Sequence, residues 1–366
     1  MNIAYFISPH GFGHASRACA VMTILARNIS SVSFSIFTRV PEWFFERSFN
    51  GDVKYTYYDR QTDVGFIQST SMLENYDATI RALENLYPLR DDIVEKTALT
   101  LKNLNIDAVF NDICVLGISA ANYASIPSVL IENFTWDWIY SSYVSEDPRF
   151  QKYIEYIKPL FDQATLRIQS EPVCVPTQRA RVVPPLARRL RAPKDAVRLL
   201  LQVPDSAPMV MCTMGGVPGD FSFMPKLAEV KDVFFVLAGL EPLSPPPPNV
   251  RAIPHTSNLY HPDLVAAADA VVGKVGYSTV AEAYYGRTQF LYIPRPRFPE
   301  SRVMEAFVSR ELNGIEIPQS DFETGSWASH VKELLTPPPQ KDISPDQTAG
   351  SLLRALESIL HTHPAA

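Results

Sequence analysis

Residues 2–28 read NIAYFISPHGFGHASRACAVMTILARN. An apolar run leads into a glycine-rich turn, and an apolar stripe follows. Ala18, Val21, Met22 and Leu25 recur at three- to four-residue spacing, one face of a helix. A buried strand, a turn and a helix in that order open a parallel α/β sheet. Gly11 and Gly13 permit positive φ and close approach of a ligand. The turn also carries His10 and His14. His14 falls at the helix start, where the dipole disfavours a cation, so a neutral ring there can accept a proton. The plainer reading makes each histidine a cap or turn residue. A metal pair is disfavoured, because Gly11 and Gly13 interrupt any helix joining the two rings and no third ligand is evident. Nor is this a dinucleotide fingerprint. GFGHAS lacks a third glycine, and the second strand ends in Phe37-Thr38-Arg39 without an acidic residue.

Outward from this stretch the pattern repeats. Strand candidates in the first half are NIAYFIS, SVSFSIF, VKYTYY, DAVFND and SVLIEN. A helical stretch spans about 76–104, broken near Pro88. PMVMCTM, VFFVLAG, NVRAI, DAVVG, QFLYIP and GIEIP follow in the second half, with helical segments such as YSTVAEAYYG between most of them. The Pro- and Arg-rich segment VVPPLARRLRAPKDAVR (182–198) reads as the linker. The predicted architecture is α/β: two tandem Rossmann-like doubly wound parallel-sheet domains, with ligands at the carboxyl ends of the strands in a cleft between them. The expected boundaries are 1–187 and 188–343, and a last helix at 344–362 is expected to return to the first domain.

Composition narrows the function. The 366 residues carry 33 basic and 39 acidic side chains, a net charge of −6, with no basic block. That excludes an evident nucleic-acid or anionic-membrane footprint. No run approaches ~18 apolar residues, so no membrane span is expected. MNIAYFIS reads as a strand rather than a secretory signal. The four scattered cysteines form neither a metal pattern nor a disulfide framework, so a reducing cytoplasm is the expected compartment. The aromatic segment VPEWFFERSF (40–49) has two readings, a membrane-touching patch or a buried amphipathic helix, and the second is favoured.

Several later strand ends carry chemistry. Asp112 closes DAVFND, where it either caps the next helix or orients a histidine from the first turn. Phe134, Trp136, Asp137 and Trp138 crowd another strand end and suit either an acceptor surface or core packing. Gly215 and Gly216 can present backbone N–H groups to a phosphate. DAVVGKVGYSTVAEAYYG sets Ser278 and Thr279 at a helix start, a diphosphate position. Glu282, one turn in, suits either two ribose hydroxyls or a capping box. Lys274 precedes the second glycine, so this is not a Walker A loop.

Taken together, these motifs resemble the GT-B glycosyltransferases. GFGHASR is similar to the Gly-rich turn of MurG-like transferases and PseG-like nucleotide-sugar hydrolases. GKVGYSTVAEAYYGRTQFLYIPR is similar to their nucleotide-sugar site. Over most of the chain the likeness extends to the glycosyltransferase-like N-terminal region of plant L-arabinokinase, through GFGHA, NFTWDWIY and GKVGYSTVAEA. The resemblance implies His14 as general base, steadied by Asp112. It implies Gly215, Gly216, Gly276, Ser278 and Thr279 at the phosphates and Glu282 at the ribose. It also implies Pro254 and His255 at the base, and Glu300 at the donor sugar. Arg188 or Arg189 matches a phosphate-binding arginine loosely. His10, Gly11, Phe12, Gly13, Trp136 and Asp137 form the expected acceptor side. The pattern departs from the MurG-like transferases at GGVPGD and at RPRFPES, which bear on the sugar.

The implied activity is inverting, metal-independent transfer from a nucleotide-diphosphate sugar, with UDP the expected nucleotide. The acceptor is a hydroxyl of unknown identity, with glycan or lipid-linked compounds as candidates. Neither a resident cofactor nor a metal is expected. A nucleotide-sugar hydrolase and a non-catalytic sugar-nucleotide binding module are the alternatives.

Overall fold

β1 (Asn2–Ile7) is buried along nearly its whole length, which places it inside a sheet covered on both faces. It lies within a computed structural model that describes the chain except for residues 71–72, 216–220, 242–244, 255, 340–343 and 361–366. The chain forms two compact units: residues 1–69 and 73–186 with the segment from Pro345 onward, and residues 70–72 with 187–344.

In the first unit β1 is followed by β2 (Ser33–Thr38), β3 (Tyr55–Asp59), the short pair β4 (Gln68–Thr70) and β5 (Leu73–Glu74), β6 (Ala108–Asp112), β7 (Ser128–Glu132), β8 (Leu166–Ser170) and β9 (Ala180–Val183). Seven of them make one parallel sheet in the order β3-β2-β1-β6-β7-β8-β9. The second unit holds β10 (Met209–Thr213), β11 (Phe234–Ala238), β12 (Val250–Ile253), β13 (Ala270–Lys274), β14 (Gln289–Ile293) and β15 (Ile315–Glu316). Its parallel sheet runs β12-β11-β10-β13-β14-β15.

Each strand candidate forms, and the sheet also gains β8 and β9. Residues 182–198 are not a bare linker. They include the end of β9 and the start of the helix Lys194–Leu200. The stretch near 76–104 divides at Pro88 into the helices Tyr76–Leu86 and Asp91–Asn103. The aromatic helix Glu42–Phe49 turns Phe44, Phe45 and Phe49 inward, so they pack the core rather than form a surface patch.

The terminal helix Pro345–Leu360 belongs to the first unit. Leu352, Ala355, Leu356 and Ile359 join the core that contains Ile3, Tyr5 and Leu25. Arg181 Nη1 donates to the carbonyl of Ala355 at 2.7 Å, which ties the helix to β9. Among the described residues no helix is long and apolar enough to cross a membrane.

Candidate functional site

In the first unit the strand order reverses between β1 and β6, where Ile7 lies opposite Asp112. Such reversals open a crevice at the carboxyl ends of the strands. The glycine-rich turn leaves β1 there, with Gly11 at φ +67°, and the helix Gly13–Asn28 begins. His14 Nδ1 lies 2.8 Å from Asp112 Oδ1. Arg17, one helical turn on, donates from Nε to Asp112 Oδ2 at 2.8 Å and from Nη2 to Oδ1 at 2.7 Å. Its Nη1 donates to Asn133 Oδ1. His14 is 6 % exposed, Arg17 1 % and Asp112 0 %.

Burial alone raises the Asp112 carboxyl, but the Arg17 charge and the hydrogen bonds from His14 and Arg17 outweigh it, so its pKa lies below the ordinary value. An ionised carboxylate only accepts hydrogen bonds. His14 Nδ1 therefore donates to Asp112, and in the neutral ring Nε2 is the nitrogen whose lone pair can act as a base. Asp112 does not cap the following helix, whose N-cap is Cys114.

The other residues expected on the acceptor side divide in two. His10 sits edge-on to Trp136, ring centroids 5.0 Å apart, and Trp136 is 6.1 Å from His14. Trp136 is only 1 % exposed, so it supports the wall instead of offering its face. Phe12 stacks on Phe44 at 4.8 Å and meets Trp43 edge-on at 5.5 Å, which makes it a packing residue between two helices. A Cβ added at Gly11 or Gly13 would meet nothing within 4 Å, so the turn borders open space. Asp137 Oδ1 is buried without a hydrogen-bond partner among the described residues.

The second unit repeats the arrangement. Its strand order reverses between β10 and β13, where Thr213 lies opposite Gly273. Gly215, at φ +72°, follows β10, and its N–H donates to Thr213 Oγ1 at 3.2 Å. Gly276 is the N-cap of the helix Tyr277–Gly286, with half-buried Ser278 and buried Thr279 in the first turn. Lys274 ends β13 beside Gly215. Burial, then the neighbouring Arg295 charge, lowers its pKa to about 8. Glu300 is buried in the first turn of the helix Pro299–Glu311. The Pro254 carbonyl accepts from Ser257 N at 3.0 Å. Gly216 and His255 lie outside the described residues.

Glu282 departs from expectation. Its carboxylate, expected to face a ribose, is enclosed: Arg188 Nη2 donates to Oε1 at 2.8 Å and His261 Nδ1 lies 2.7 Å from Oε2. The side chain is 0 % exposed. Burial raises this carboxyl, but the Arg188 and His261 charges and hydrogen bonds overcome it and bring the pKa from 4.5 to about 2. A depressed carboxyl stabilises the fold above its unfolded pKa and loses that contribution as pH falls through the folded one. The shift corresponds to about 3 kcal/mol at neutral pH. Glu282→Gln is expected to lose about that much at pH 7, with the gap to the parent less than half as large by pH 3. Urea unfolding at the two pH values checks this, and a pH-independent gap would contradict it.

Arg17 carries no role in the sequence pattern, although its position three residues after His14 signals a shared helix face. Asn133 and His261 have no signal there, because they meet their partners only through the fold.

No family model matches the chain. It is 26 % identical over 337 residues to the L-arabinokinase of Arabidopsis thaliana, covering 91 % of this chain and 32 % of that protein. The chain thus spans about a third of the length of that curated relative. Among solved structures, the calicheamicin glycosyltransferase CalG4 superposes with a TM-score of 0.60 at 16 % identity, covering 98 % of this chain and 94 % of the other. LpCGTa in complex with UDP gives 0.61 at 14 % identity, covering 100 % and 95 %. Arabidopsis thaliana UGT89C1, complexed with quercetin, gives 0.60 at 14 %, covering 98 % and 94 %. With two parallel doubly wound sheets superposing along nearly the whole length of these enzymes, the chain has the GT-B fold of the glycosyltransferases.

Proposed function

We propose that the chain is an inverting glycosyltransferase that moves a sugar from a nucleotide-diphosphate donor to a hydroxyl acceptor without a metal. The observation that carries this reading is the buried His14–Asp112 pair at the strand-order reversal of a GT-B unit. His14 Nε2 takes the acceptor's hydroxyl proton. The freed oxygen attacks the anomeric carbon, and the bond from that carbon to the diphosphate oxygen breaks with its electron pair on the leaving nucleotide. The imidazolium is stabilised by Asp112. In the second unit, N–H groups at the start of the helix Tyr277–Gly286, with Gly215 and Lys274, suit the growing charge on the diphosphate. Glu282 holds Arg188 and His261 at this end of the sheet, and a ribose reaching its carboxylate would have to displace one of them.

UDP is the proposed nucleotide, since a solved neighbour was captured with it. The test is thermal shift with UDP, ADP and GDP, followed by turnover of UDP-sugars with and without acceptor hydroxyls. Stabilisation by UDP of about 2.7 kcal/mol is expected at a ligand concentration a hundredfold above Kd. No shift with any nucleotide would overturn the reading, and equal turnover without acceptor would replace transfer by hydrolysis.

A further inference from the structure

The loop after β3 carries a second buried carboxylate that the mechanism above does not use. Asp63 is 2 % exposed. Its Oδ2 accepts from the indole Nε1 of Trp136. Its Oδ1 accepts from Tyr87 OH at 3.1 Å and from Val64 N at 2.7 Å. Thr62 Oγ1 donates to the carbonyl of Ile7 at 2.7 Å and pins this loop to the end of β1. Tyr140 OH donates to the Val64 carbonyl. A Cβ at Gly65 would lie 2.5 Å from the His10 ring, so the loop backbone presses directly on that imidazole. The loop therefore clamps both members of the wall beside His14, Trp136 through its N–H and His10 through van der Waals contact.

Charge points the same way. Arg17 already occupies both oxygens of Asp112. Once His14 takes a proton, that cluster holds two cations and one anion. A buried net charge is costly without a counter-charge. The geometry points to Asp63 as a positioning residue that fixes Trp136 and His10 against His14 and sets a second buried carboxylate behind the Trp136 indole that neighbours that imidazole. The role during turnover rests on the transferase reading, while the coupling itself does not.

Burial raises the Asp63 pKa from 3.8 to about 6, and the bonds from Val64 and Tyr87 and the field of His14 act against that rise. Tyr87, Tyr140 and Cys114 also face it, and burial pushes all three well above their ordinary values, so they stay uncharged while Asp63 titrates.

The experiment follows the indole N–H resonance of Trp136 in the ¹⁵N-labelled full chain, assigned with Trp136→Phe, against pH and without any substrate. A step near pH 6 is expected in the parent. It should vanish in Asp63→Asn and move up by roughly 0.5–1 pH unit in His14→Gln. No step in the parent, a step that persists in Asp63→Asn, or an unmoved midpoint in His14→Gln overturns the proposal. If Asp63→Asn fails to fold, the parent and His14→Gln still decide it. Failure to transfer any sugar would leave these steps in place and would count against the transferase reading alone.

Discussion

His14→Ala is expected to lower the sugar-transfer rate by roughly 10²–10⁴-fold, the span of general-base assistance. The fold should survive. Arg17 keeps both oxygens of Asp112 engaged when the imidazole is gone, so no buried charge loses its last partner. The cost in stability is expected to stay within about 2 kcal/mol. Nucleotide binding should be unchanged, because the residues assigned to the diphosphate belong to the second unit. The checks are steady-state kinetics beside a nucleotide thermal shift. A variant with the parent's kcat would remove His14 from the chemistry. One that has lost both rate and nucleotide-induced stabilisation would point to a damaged fold.

Asp112→Ala acts differently, because this carboxylate supports two neighbours. Its removal leaves the Arg17 guanidinium, 1 % exposed, without its ion pair. Breaking a buried pair in this way costs about 3–5 kcal/mol. A melting temperature lower by roughly 6–20 °C is expected in a unit of this size. Removing both charges, as Arg17→Met with Asp112→Leu, should recover most of that stability but none of the activity. Recovery of rate in the double variant would show that Asp112 is structural only. Because the Asp112 carboxyl is depressed, its contribution is present above its unfolded pKa and fades as the solution is acidified below it.

The strand-turn-helix opening was legible because an apolar run, two glycines and a helical stripe agree within residues 2–28. Most later strands of both sheets were legible as short apolar runs. β8 and β9 were not. LRIQS and ARVV mix Arg, Gln and Ser into the run, although Gln169 and Ser170 are fully buried. Gln169 satisfies its amide through Glu132 at 2.8 Å and the Val175 carbonyl at 2.8 Å, partners from outside its own strand. Periodicity carries no signal for a polar residue whose burial depends on a distant partner.

The candidate site follows the same rule. His14 and Asp112 could be proposed as a pair because Asp112 closes a strand, His14 starts the helix after the turn that leaves β1, and strand ends of one parallel sheet converge. Arg17 looked like an ordinary helical cation, and its burial depends on a carboxylate 95 positions away. Asp63, in the aperiodic loop DVGFIQSTSM, could be named from the sequence only as a polar candidate for the cleft beside Gln68, because its partner Trp136 is 73 positions distant. Glu282 was read correctly as an acidic residue one turn into a helix, but Arg188 and His261, which enclose it, come from separate segments.

The return of the helix Pro345–Leu360 to the first core also sets an order of assembly on the ribosome. When Leu186 has been synthesised, every strand of that unit's sheet is present, but Leu352 and Leu356 are still about 170 codons away. At roughly 5–20 residues per second, that interval is on the order of ten seconds or more. The core of the first unit is therefore completed only after the residues of the second unit have been synthesised.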